Sequence, residues 1–341
     1  PVMINVVDGN KDMFIRNNMK AMVYDKYGPP EVLQLRDIPK PIPKDDELLV
    51  KVHAAAVTMA DCEIRGGKMD SFIWIVIRIM YGLFKPKYQI LGQELAGEVE
   101  AVGADVTCFR PGDKVFACTD QKMGADAEYI SLSLDRAIVK KPEKLSYAEA
   151  ASAPVGWTNA LHFLKLTNLK KGEKVLVVGG SGLIGIYAIQ FARYLGAEVT
   201  AVGNHKSLEL MKKLGATHVM DYEQEDYWTN GETYDVVFEA VGKSPFTKAL
   251  KSTAKNGRLI IANPQMNQLL RAFFINKFTS KQVVWQFASD TSEDLDYLCE
   301  LVEAGEIQTV IDRHYKLEDL VEAHKYIETG LKTGGVVLDI V

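Results

Sequence analysis

A glycine-rich turn constrains the fold of this chain more than any other feature of its sequence. Residues Gly180 to Gly185 read Gly-Ser-Gly-Leu-Ile-Gly, follow the apolar run Lys174 to Val178, and open a helical pattern that continues to Leu195. Between a strand and a helix, such glycines permit a tight turn and a close approach of the backbone to a pyrophosphate. The N–H groups of the helix N-terminus then point at the anion. The motif predicts a dinucleotide site with these contacts: Gly180, Ser181, Gly182, Leu183, Ile184 and Gly185.

The sequence around this motif alternates strand and helix patterns from Ser146 onward. Strands at that spacing, joined by helical crossovers, predict a parallel doubly wound sheet. Ligands of such sheets bind beyond the carboxyl ends of the strands, so Val241, Gly242 and Asn263 are predicted to meet the ribose and the nicotinamide. The predicted strands are Lys174 to Val178, Glu198 to Val202, His218 to Met220, Asp235 to Glu239, Arg258 to Ala262 and Gln282 to Trp285.

The residues after the second of these strands predict which nicotinamide cofactor binds. Sites for NAD place an Asp or Glu about 20 residues beyond the glycines, where it binds the ribose hydroxyls. Here the segment reads Gly203-Asn204-His205-Lys206-Ser207, with no carboxylate and with a cation. A carboxylate would repel a 2′-phosphate, whereas amide, hydroxyl and ammonium groups bind it. The segment favours NADPH over NADH, with Gly203, Asn204, Lys206 and Ser207 as contacts; a solvated surface role for Lys206 is the alternative.

The chain before Ser146 is predicted to be mostly β. From Met19 to about Tyr147, short β-like runs alternate with turn signals such as Arg110-Pro111-Gly112-Asp113. The strands predicted in this half are Lys20 to Tyr24, Glu47 to Ala56, Glu94 to Val102, Lys114 to Cys118 and Ala127 to Ile130. After about Ser289 we predict a helix at Ser292 to Ala304, an acidic helix near Leu317 to Thr329 and a strand at Gly335 to Val341. We divide the chain into an N-terminal extension or tag (1–18), the first part of a β-rich catalytic domain (19–147), a dinucleotide-binding domain (148–289) and a return segment of the catalytic domain (290–341).

Composition excludes several classes of protein. The chain has 40 basic and 45 acidic residues, a net charge of −5, whereas a nucleic-acid-binding protein normally has a basic excess. The longest apolar stretch, Phe72 to Met80, is interrupted by Arg78 and has about half of the roughly 20 residues that a membrane span needs. The four cysteines form no CxxC pair and predict no disulfide framework, so we expect a reducing, cytoplasmic location.

One apolar stretch in the β-rich half has rough helical spacing. Ser71 to Phe84 is predicted to form an amphipathic helix. Such a helix packs on the core or covers a pocket; a lid that faces substrate or touches a membrane is the alternative. A second local pattern is the spacing of Asp61 and Arg65, which predicts an i, i+4 ion pair on one helix face.

The motifs of the whole chain from Met19 to Val341 resemble the medium-chain dehydrogenase/reductase superfamily, and in particular its zinc-independent quinone oxidoreductase (zeta-crystallin-like) branch. The resemblance implies an α/β protein with a GroES-like β-rich catalytic domain and a Rossmann doubly wound parallel-sheet domain. Besides the glycine-rich turn, the matching segments occur in the family's order: Tyr27 to Leu33, Ala54 to Val57 with Asp61 and Arg65 to Gly67, Leu91 to Gly97, Val102-Gly103, Arg110 to Val115, Leu214 to Ala216 and Glu239 to Gly242.

The same resemblance assigns positions around the nicotinamide. It places the ring beside Thr58, Gln93 and the turn from Val155 to Thr158, and it makes Thr158 a cofactor contact. Tyr222 matches a family position near the adenosine end, where an aromatic ring stacks. The resemblance also implies a homodimer that forms through the sheet edge at Gln282 to Trp285.

The expected zinc ligands are missing from this chain. Zinc-dependent relatives have a Cys at the position of Thr58 and a His at the position of Gln93, and they carry a cluster of four cysteines for a structural zinc. A hydroxyl and an amide do not hold zinc in a catalytic site. The six histidines show no short ligand spacing either. We therefore predict that no metal is bound.

Without a Lewis acid, oxidation of a plain alcohol lacks its usual stabilisation of an alkoxide. A quinone or an α,β-unsaturated carbonyl accepts hydride more easily, because the negative charge spreads onto oxygen and one or two hydrogen-bond donors suffice. We predict an NADPH-dependent, zinc-free reductase of such small molecules, with the Thr58 hydroxyl and the Gln93 amide as catalytic donors. The alternative to a catalytic role is that both side chains only fill a vacated metal pocket. The alternative functions are an alcohol or aldehyde dehydrogenase of relaxed specificity and a non-catalytic NADPH-binding redox sensor.

Overall fold

The computed structural model describes residues 18–68, 74–119, 122–242, 244–262, 264–286, 288 and 290–341. Almost all of the predicted N-terminal extension lies outside this part of the chain, as does Asn263. Within it, the strands β1 to β15 are Asn18–Val23, Gln34–Pro39, Glu47–Val57, Glu94–Val102, Lys114–Cys118, Tyr129–Ser133, Ile138–Lys140, Lys174–Val178, Glu198–Gly203, His218–Asp221, Tyr234–Glu239, Thr253–Ile261, Gln282–Val284, Ile311–Lys316 and Gly335–Asp339.

The α-helices surround and connect these strands. In the described residues, α1 to α10 are Met59–Gly66, Trp74–Tyr81, Tyr147–Ala151, Pro154–Thr167, Leu183–Tyr194, Leu208–Lys213, Phe246–Ser252, Met266–Phe278, Ser292–Glu303 and Leu320–Glu328. Across the described part of the chain, every helix is too short or too polar to cross a bilayer.

Six parallel strands form one sheet in the order β10-β9-β8-β11-β12-β13. The chain starts at β8, moves outward to β10, and then returns to the other side of β8 with β11. The order therefore reverses between β8 and β11, which is the point where doubly wound sheets bind ligands. This confirms the predicted fold class and places the glycine-rich turn, which follows β8, at the switch point.

The other large sheet is mostly antiparallel and is built from both ends of the chain. Its order is β14-β15-β3-β4-β5-β7, and β6 pairs with β3. The C-terminal strand β15 pairs with β3, with Val336 opposite Val57. The last 50 or so residues therefore complete the β-rich sheet, in line with a return segment, while the proposed domain bounds stay a prediction.

One long helix was missing from the sequence prediction. The helix α4, Pro154–Thr167, begins where only a turn was expected, and it is buried on most sides. Its apolar residues do not form the stripe of a surface helix, because it packs between β strands and α5. The buried Trp157 donates from Nε1 to the Asp294 carbonyl at 2.7 Å and thus fixes the start of α4. This fixed start carries Val155 and Thr158.

Candidate functional site

The two predicted catalytic side chains lie at one edge of the antiparallel sheet. Strand β3 ends at Val57, strand β4 begins at Glu94, and Ala56 pairs with Glu94. Because the strands run antiparallel, Thr58 just after β3 and Gln93 just before β4 lie side by side. Both side chains are half-buried.

A buried carboxylate links these two positions. Asp61 Oδ2 accepts from the Thr58 backbone N–H at 2.8 Å and from the Thr58 hydroxyl at 2.7 Å. Asp61 Oδ1 accepts from the Gly92 N–H at 3.2 Å. Thr58 is the N-cap of α1, and its side chain completes a capping box with Asp61. The hydrogen of the Thr58 hydroxyl is therefore directed at Asp61.

The predicted ion pair between Asp61 and Arg65 is wrong. Asp61 turns back to the N-terminus of its own helix, and Arg65 turns away toward α10. The Arg65 guanidinium forms an ion pair with Glu328, donates to the Gly28 carbonyl at 3.1 Å and contacts His324 Nδ1 at 3.0 Å. Capping the helix satisfies backbone N–H groups that a surface ion pair would leave exposed.

A second carboxyl lies close to Asp61 and lacks donors. Asp126 is buried, and neither of its carboxylate oxygens has a hydrogen-bond partner among the described residues. Burial and the nearby charge of Asp61 raise the pKa of Asp126 well above its usual value. Burial raises the pKa of Asp61 as well, but its hydrogen bonds from Thr58 and Gly92 oppose that shift, and Asp126 has no such donors. The negative charge of the pair is therefore assigned to Asp61.

Replacing Asp61 with Ala is expected to lower the free energy of unfolding by about 3 kcal/mol, because two buried N–H groups lose their acceptor. Urea denaturation measures the loss. Asp61→Asn keeps an oxygen acceptor and should recover part of it. Equal losses for both variants would contradict the role of the carboxylate in holding Thr58 against Gly92.

Glu94 is fully buried directly behind Gln93. Its Oε1 accepts from the Val155 N–H at 2.7 Å, which joins β4 to the start of α4, while Oε2 has no partner among the described residues. Burial, helped by the charges of Asp290 and Asp61, raises the pKa of Glu94 to about 8, although the hydrogen bond from Val155 and the charge of Lys332 lower it. Glu94 therefore holds a proton at neutral pH inside the candidate site.

This proton makes stability depend on pH in a defined window. An unfolded Glu loses its proton near pH 4.5 while the folded one keeps it to about pH 8, so folding weakens as pH rises between them. Glu94→Gln keeps the acceptor for Val155 and should be more stable than the parent chain by roughly 2–4 kcal/mol at pH 8, and equal to it below pH 4. Urea denaturation between pH 4 and pH 8 measures the free energy of unfolding of both chains, and Glu143→Gln, at an exposed position, is the control. If the difference in stability between Glu94→Gln and the parent chain did not change with pH, the protonation of Glu94 would be refuted.

The glycine-rich turn leaves room for an anion. A Cβ on Gly185 would lie 2.2 Å from the Gly179 carbonyl oxygen, so the helix and strand pack too closely there for any side chain. A Cβ on Gly182 would meet nothing nearer than 3.4 Å. Gly182 is also the N-cap of α5, and because it has no side chain it offers no acceptor to the first N–H groups of the helix. The first N–H groups of α5, at Leu183 and Ile184, thus face half-exposed space that fits a pyrophosphate.

Sequence reasoning missed Lys332, which the return segment brings to this turn. The Gly334 N–H donates to the Ser181 carbonyl at 3.0 Å, and Lys332 Nζ donates to the Gly334 carbonyl at 3.0 Å. The charge of Lys332 also acts on Glu94. Lys332 therefore lies near both the glycine-rich turn and Glu94, where burial lowers the pKa of its ammonium group from the usual value and the charge of Glu94 opposes that shift. No local motif marks it, because it is about 150 residues away in sequence.

Two of the predicted cofactor contacts in the segment after β9 form hydrogen bonds with each other. The Asn204 side chain accepts from the Ser207 N–H at 3.1 Å, and the buried Ser207 hydroxyl donates to the Asn204 carbonyl at 2.8 Å. Lys206 is exposed. Sequence reasoning also missed that Asp221 lies beside this segment. Asp221 is paired with Gly203, and its Oδ2 lies 3.4 Å from His205 Nδ1. Its position at the end of a predicted strand was the available signal.

The other predicted cofactor residues have different settings. Tyr222 is about half exposed, and its N–H donates to the Gly203 carbonyl at 3.0 Å. The N–H groups of Val241 and Gly242 donate to Glu239 Oε1 at 3.0 and 2.9 Å, so this turn is fixed beyond β11. Thr158 is buried and its hydroxyl donates to Asp290.

The carboxyl groups near the Thr58–Gln93 edge accept hydrogen bonds from Thr58, Gly92 and Val155. No cluster of three or more acidic, histidine or cysteine residues that could hold a metal occurs in the described ranges. A hydroxyl that donates to Asp61 and a neutral amide remain at the two ligand positions of the zinc-dependent relatives. The absence of a metal stays a prediction from these residue types.

The two sheets and the glycine-rich turn define a two-domain, dinucleotide-dependent oxidoreductase. Residues 44–143 match the family described as "Alcohol dehydrogenase GroES-like domain", and residues 214–338 match the family described as "Zinc-binding dehydrogenase". The second description is that of the family; it is the resemblance of the motifs that implies zinc-ligand positions at Thr58 and Gln93 of this chain.

Whole-chain similarities extend these matches. The quinone oxidoreductase of Homo sapiens is 31% identical over 94% of this chain and 97% of its own length. The NADPH-dependent alkenal/one oxidoreductase, chloroplastic, of Arabidopsis thaliana is 29% identical over 97% of this chain and 82% of its own length. The structure of the quinone oxidoreductase from Coxiella burnetii superposes on this chain with a TM-score of 0.85 and 30% sequence identity. The match covers 95% of this chain and 100% of the Coxiella chain. The chain belongs to the quinone oxidoreductase branch of the medium-chain dehydrogenase/reductase superfamily, which confirms the resemblance of its motifs.

Proposed function

We propose that the protein is an NADPH-dependent, zinc-free reductase that transfers hydride to a quinone or an α,β-unsaturated carbonyl. The observation that carries the proposal is the open space in front of Gly182, which fits an anion. Lys332 lies near this space and its charge acts on Glu94. Glu94 follows Gln93, whose half-buried amide is a donor available to a substrate. The names of the human and Arabidopsis relatives support the reaction class.

The cofactor residues divide by chemistry. The N–H groups of Leu183 and Ile184 and the Lys332 ammonium would hold the pyrophosphate, and Lys206 would pair with the 2′-phosphate. Tyr222 is exposed enough for its ring to stack on the adenine, and the Val241–Gly242 turn would line the ribose next to the nicotinamide. When bound, NADPH supplies the hydride.

Gln93 stabilises the charge that develops on the acceptor. Its amide N–H groups donate to the oxygen that becomes an enolate or a hydroquinone anion, in a half-buried site where such a hydrogen bond is stronger than in water. Thr58 keeps its hydroxyl oxygen as an acceptor, since its hydrogen goes to Asp61. Through Asp61 it also fixes the backbone that carries Gln93.

The choice between the two cofactors is expected to depend on Lys206. Lys206→Ala removes an exposed cation beside the site of the 2′-phosphate and should raise KM for NADPH about tenfold, because one charge-assisted hydrogen bond is lost. KM for NADH should not change. Steady-state kinetics with both cofactors measure it, and Lys213→Ala, which removes another exposed lysine nearby, is the control. An equal rise for NADH and NADPH would contradict the assignment.

Turnover by metal-stripped protein tests the function itself. NADPH and NADH consumption is followed with a panel of quinones, enones, aldehydes and alcohols, with and without a chelator. We expect turnover of quinones or enones with NADPH and no effect of the chelator. Activity only with alcohols and added zinc would support a dehydrogenase, and tight NADPH binding without any turnover would support a redox sensor; each would refute the proposal.

The remaining expectations extend this proposal. A small molecule is the substrate, and a homodimer would form through β13, which is the edge strand of the parallel sheet. The four cysteines lie in no disulfide, which supports a reducing compartment such as the cytoplasm. We also propose the domain bounds 19–147 with 290–341, and 148–289, which would place the two large sheets in different domains.

A further inference from the structure

Apolar side chains of α2 and of the loop that follows it face solvent. Ile75 and Ile79 are 64% and 65% exposed, Leu83 is 50% exposed and Phe84 is 90% exposed. Ile75 and Ile79 are four residues apart, on one face of the helix. We call these four residues, with Lys85 and Lys87, the apolar tip. Exposed apolar groups that are adjacent in this way mark contact with a protein or a membrane.

The backbone holds the apolar tip in this exposed conformation. The Lys87 N–H donates to the Tyr81 carbonyl at 2.7 Å and closes the loop. The Tyr27 hydroxyl lies 2.9 Å from the Tyr81 carbonyl oxygen and 2.6 Å from that of Gly82. Gly82 has φ of 109°, a conformation that favours glycine. The exposure of Phe84 is therefore built into the loop.

The charged side chains of α2 and of the loop that follows it are all basic. Residues 71–93 contain Arg78, Lys85 and Lys87 and no acidic residue, in a chain whose acidic residues outnumber its basic ones by 45 to 40. The Arg78 guanidinium lies over the Tyr27 ring at 3.6 Å, and Lys85 and Lys87 are exposed. Apolar side chains flanked by lysines have the chemistry of segments that lie in the interface of an anionic bilayer.

A second copy of the chain fits this surface less well. A two-fold contact would oppose Lys85 and Lys87 to the same lysines, with no acid in the segment to pair with them. The sheet edge at β13, through which a dimer is expected, belongs to the other sheet. Anionic lipid headgroups complement both lysines while the acyl boundary accepts Phe84.

We propose that the apolar tip docks the protein on the surface of an anionic phospholipid bilayer. Phe84, Leu83, Ile75 and Ile79 enter the boundary of the acyl chains, and Lys85 and Lys87 contact the headgroups. Docking needs neither cofactor nor turnover, so it goes beyond the proposed reductase function and is tested separately.

Cosedimentation of the full chain with vesicles tests the docking. We expect binding to phosphatidylcholine vesicles that contain phosphatidylglycerol, and weaker binding to phosphatidylcholine alone. Phe84→Ser should lower the partition coefficient about tenfold, and the double variant Lys85→Glu/Lys87→Glu should abolish the preference for phosphatidylglycerol. Ile42→Ser is the matched control, because Ile42 is 88% exposed in a different loop and should have no effect.

Three results would overturn the proposal. Vesicle binding that is absent, or equally reduced by Ile42→Ser, would show that the apolar tip has no special affinity for lipid. A change of mass by light scattering for Phe84→Ser without lipid would assign the surface to a second copy. A changed KM for a water-soluble quinone in that variant would assign it to the substrate pocket.

Discussion

Replacing Gln93 with Leu is expected to lower kcat/KM for a quinone or enone about 100-fold, the cost of removing one donor to a developing oxyanion. Leu has a similar size and removes only the amide. Because the backbone around position 93 is held by Asp61 at Gly92 and by the Thr119 N–H on the Gln93 carbonyl at 2.8 Å, the site should keep its shape. The loss should therefore appear in kcat, with the Kd of NADPH unchanged.

Stopped-flow measurement of single-turnover NADPH oxidation separates this loss from slow product release. Gln89→Leu removes an exposed amide four residues away, whose contact is Asp25 at 2.9 Å, and should retain the parent rate. If Gln93→Leu also retains the parent rate, Gln93 would have the alternative role of filling a vacated metal pocket. The chemical role would then have to be sought elsewhere along the Thr58–Gln93 edge.

The second large effect is expected at Gly182. Its φ and ψ of −75° and 163° are open to any residue, and a Cβ there meets nothing within 3.4 Å, so Gly182→Val should fold with nearly the parent Tm. The new side chain would occupy the space in front of the Leu183 and Ile184 N–H groups. Loss of charge-assisted hydrogen bonds to the pyrophosphate should raise the Kd of NADPH roughly 100-fold.

Isothermal titration calorimetry gives the Kd without any need for turnover. Gly185→Ala is the contrasting variant, because its Cβ would lie 2.2 Å from the Gly179 carbonyl oxygen and 2.8 Å from the Gly180 Cα. It should lose stability, whereas Gly182→Val should lose affinity. If Gly182→Val bound NADPH like the parent, the pyrophosphate would have to lie away from the N-terminus of α5.

Local patterns were sufficient to predict much of this fold. The strands Glu94–Val102, Lys114–Cys118 and Lys174–Val178 have the predicted bounds, because turn residues or charges interrupt the apolar runs on both sides. The strand predicted at Ala127 to Ile130 lies instead at Tyr129–Ser133. Its register is set by pairing with β3, with Tyr129 opposite Lys51, and a single strand contains no record of its partner.

The candidate site could be predicted only where its chemistry is contiguous in sequence. The glycine-rich turn is one motif, and the structure places it at the switch point. The contacts of Asp61 with Gly92, of Glu94 with Val155, and of Lys332 near Ser181 join segments that are 31 to about 150 residues apart. Burial decides the proton on Glu94 and the internal use of Ser207, and burial is a property of the fold.

The pairing of β15 with β3 also determines the order in which the protein can be completed during synthesis. All strands of the parallel sheet lie within residues 174–284 and leave the ribosome together, so that sheet can form first. The β-rich sheet must wait, because Val57 pairs with Val336 across nearly the whole chain. Until residues 335–339 emerge, the end of β3 from Ala54 to Val57 has an unpaired edge and Ser181 lacks its contact with Gly334. Strand β15 therefore closes the sheet whose first strands were made long before it.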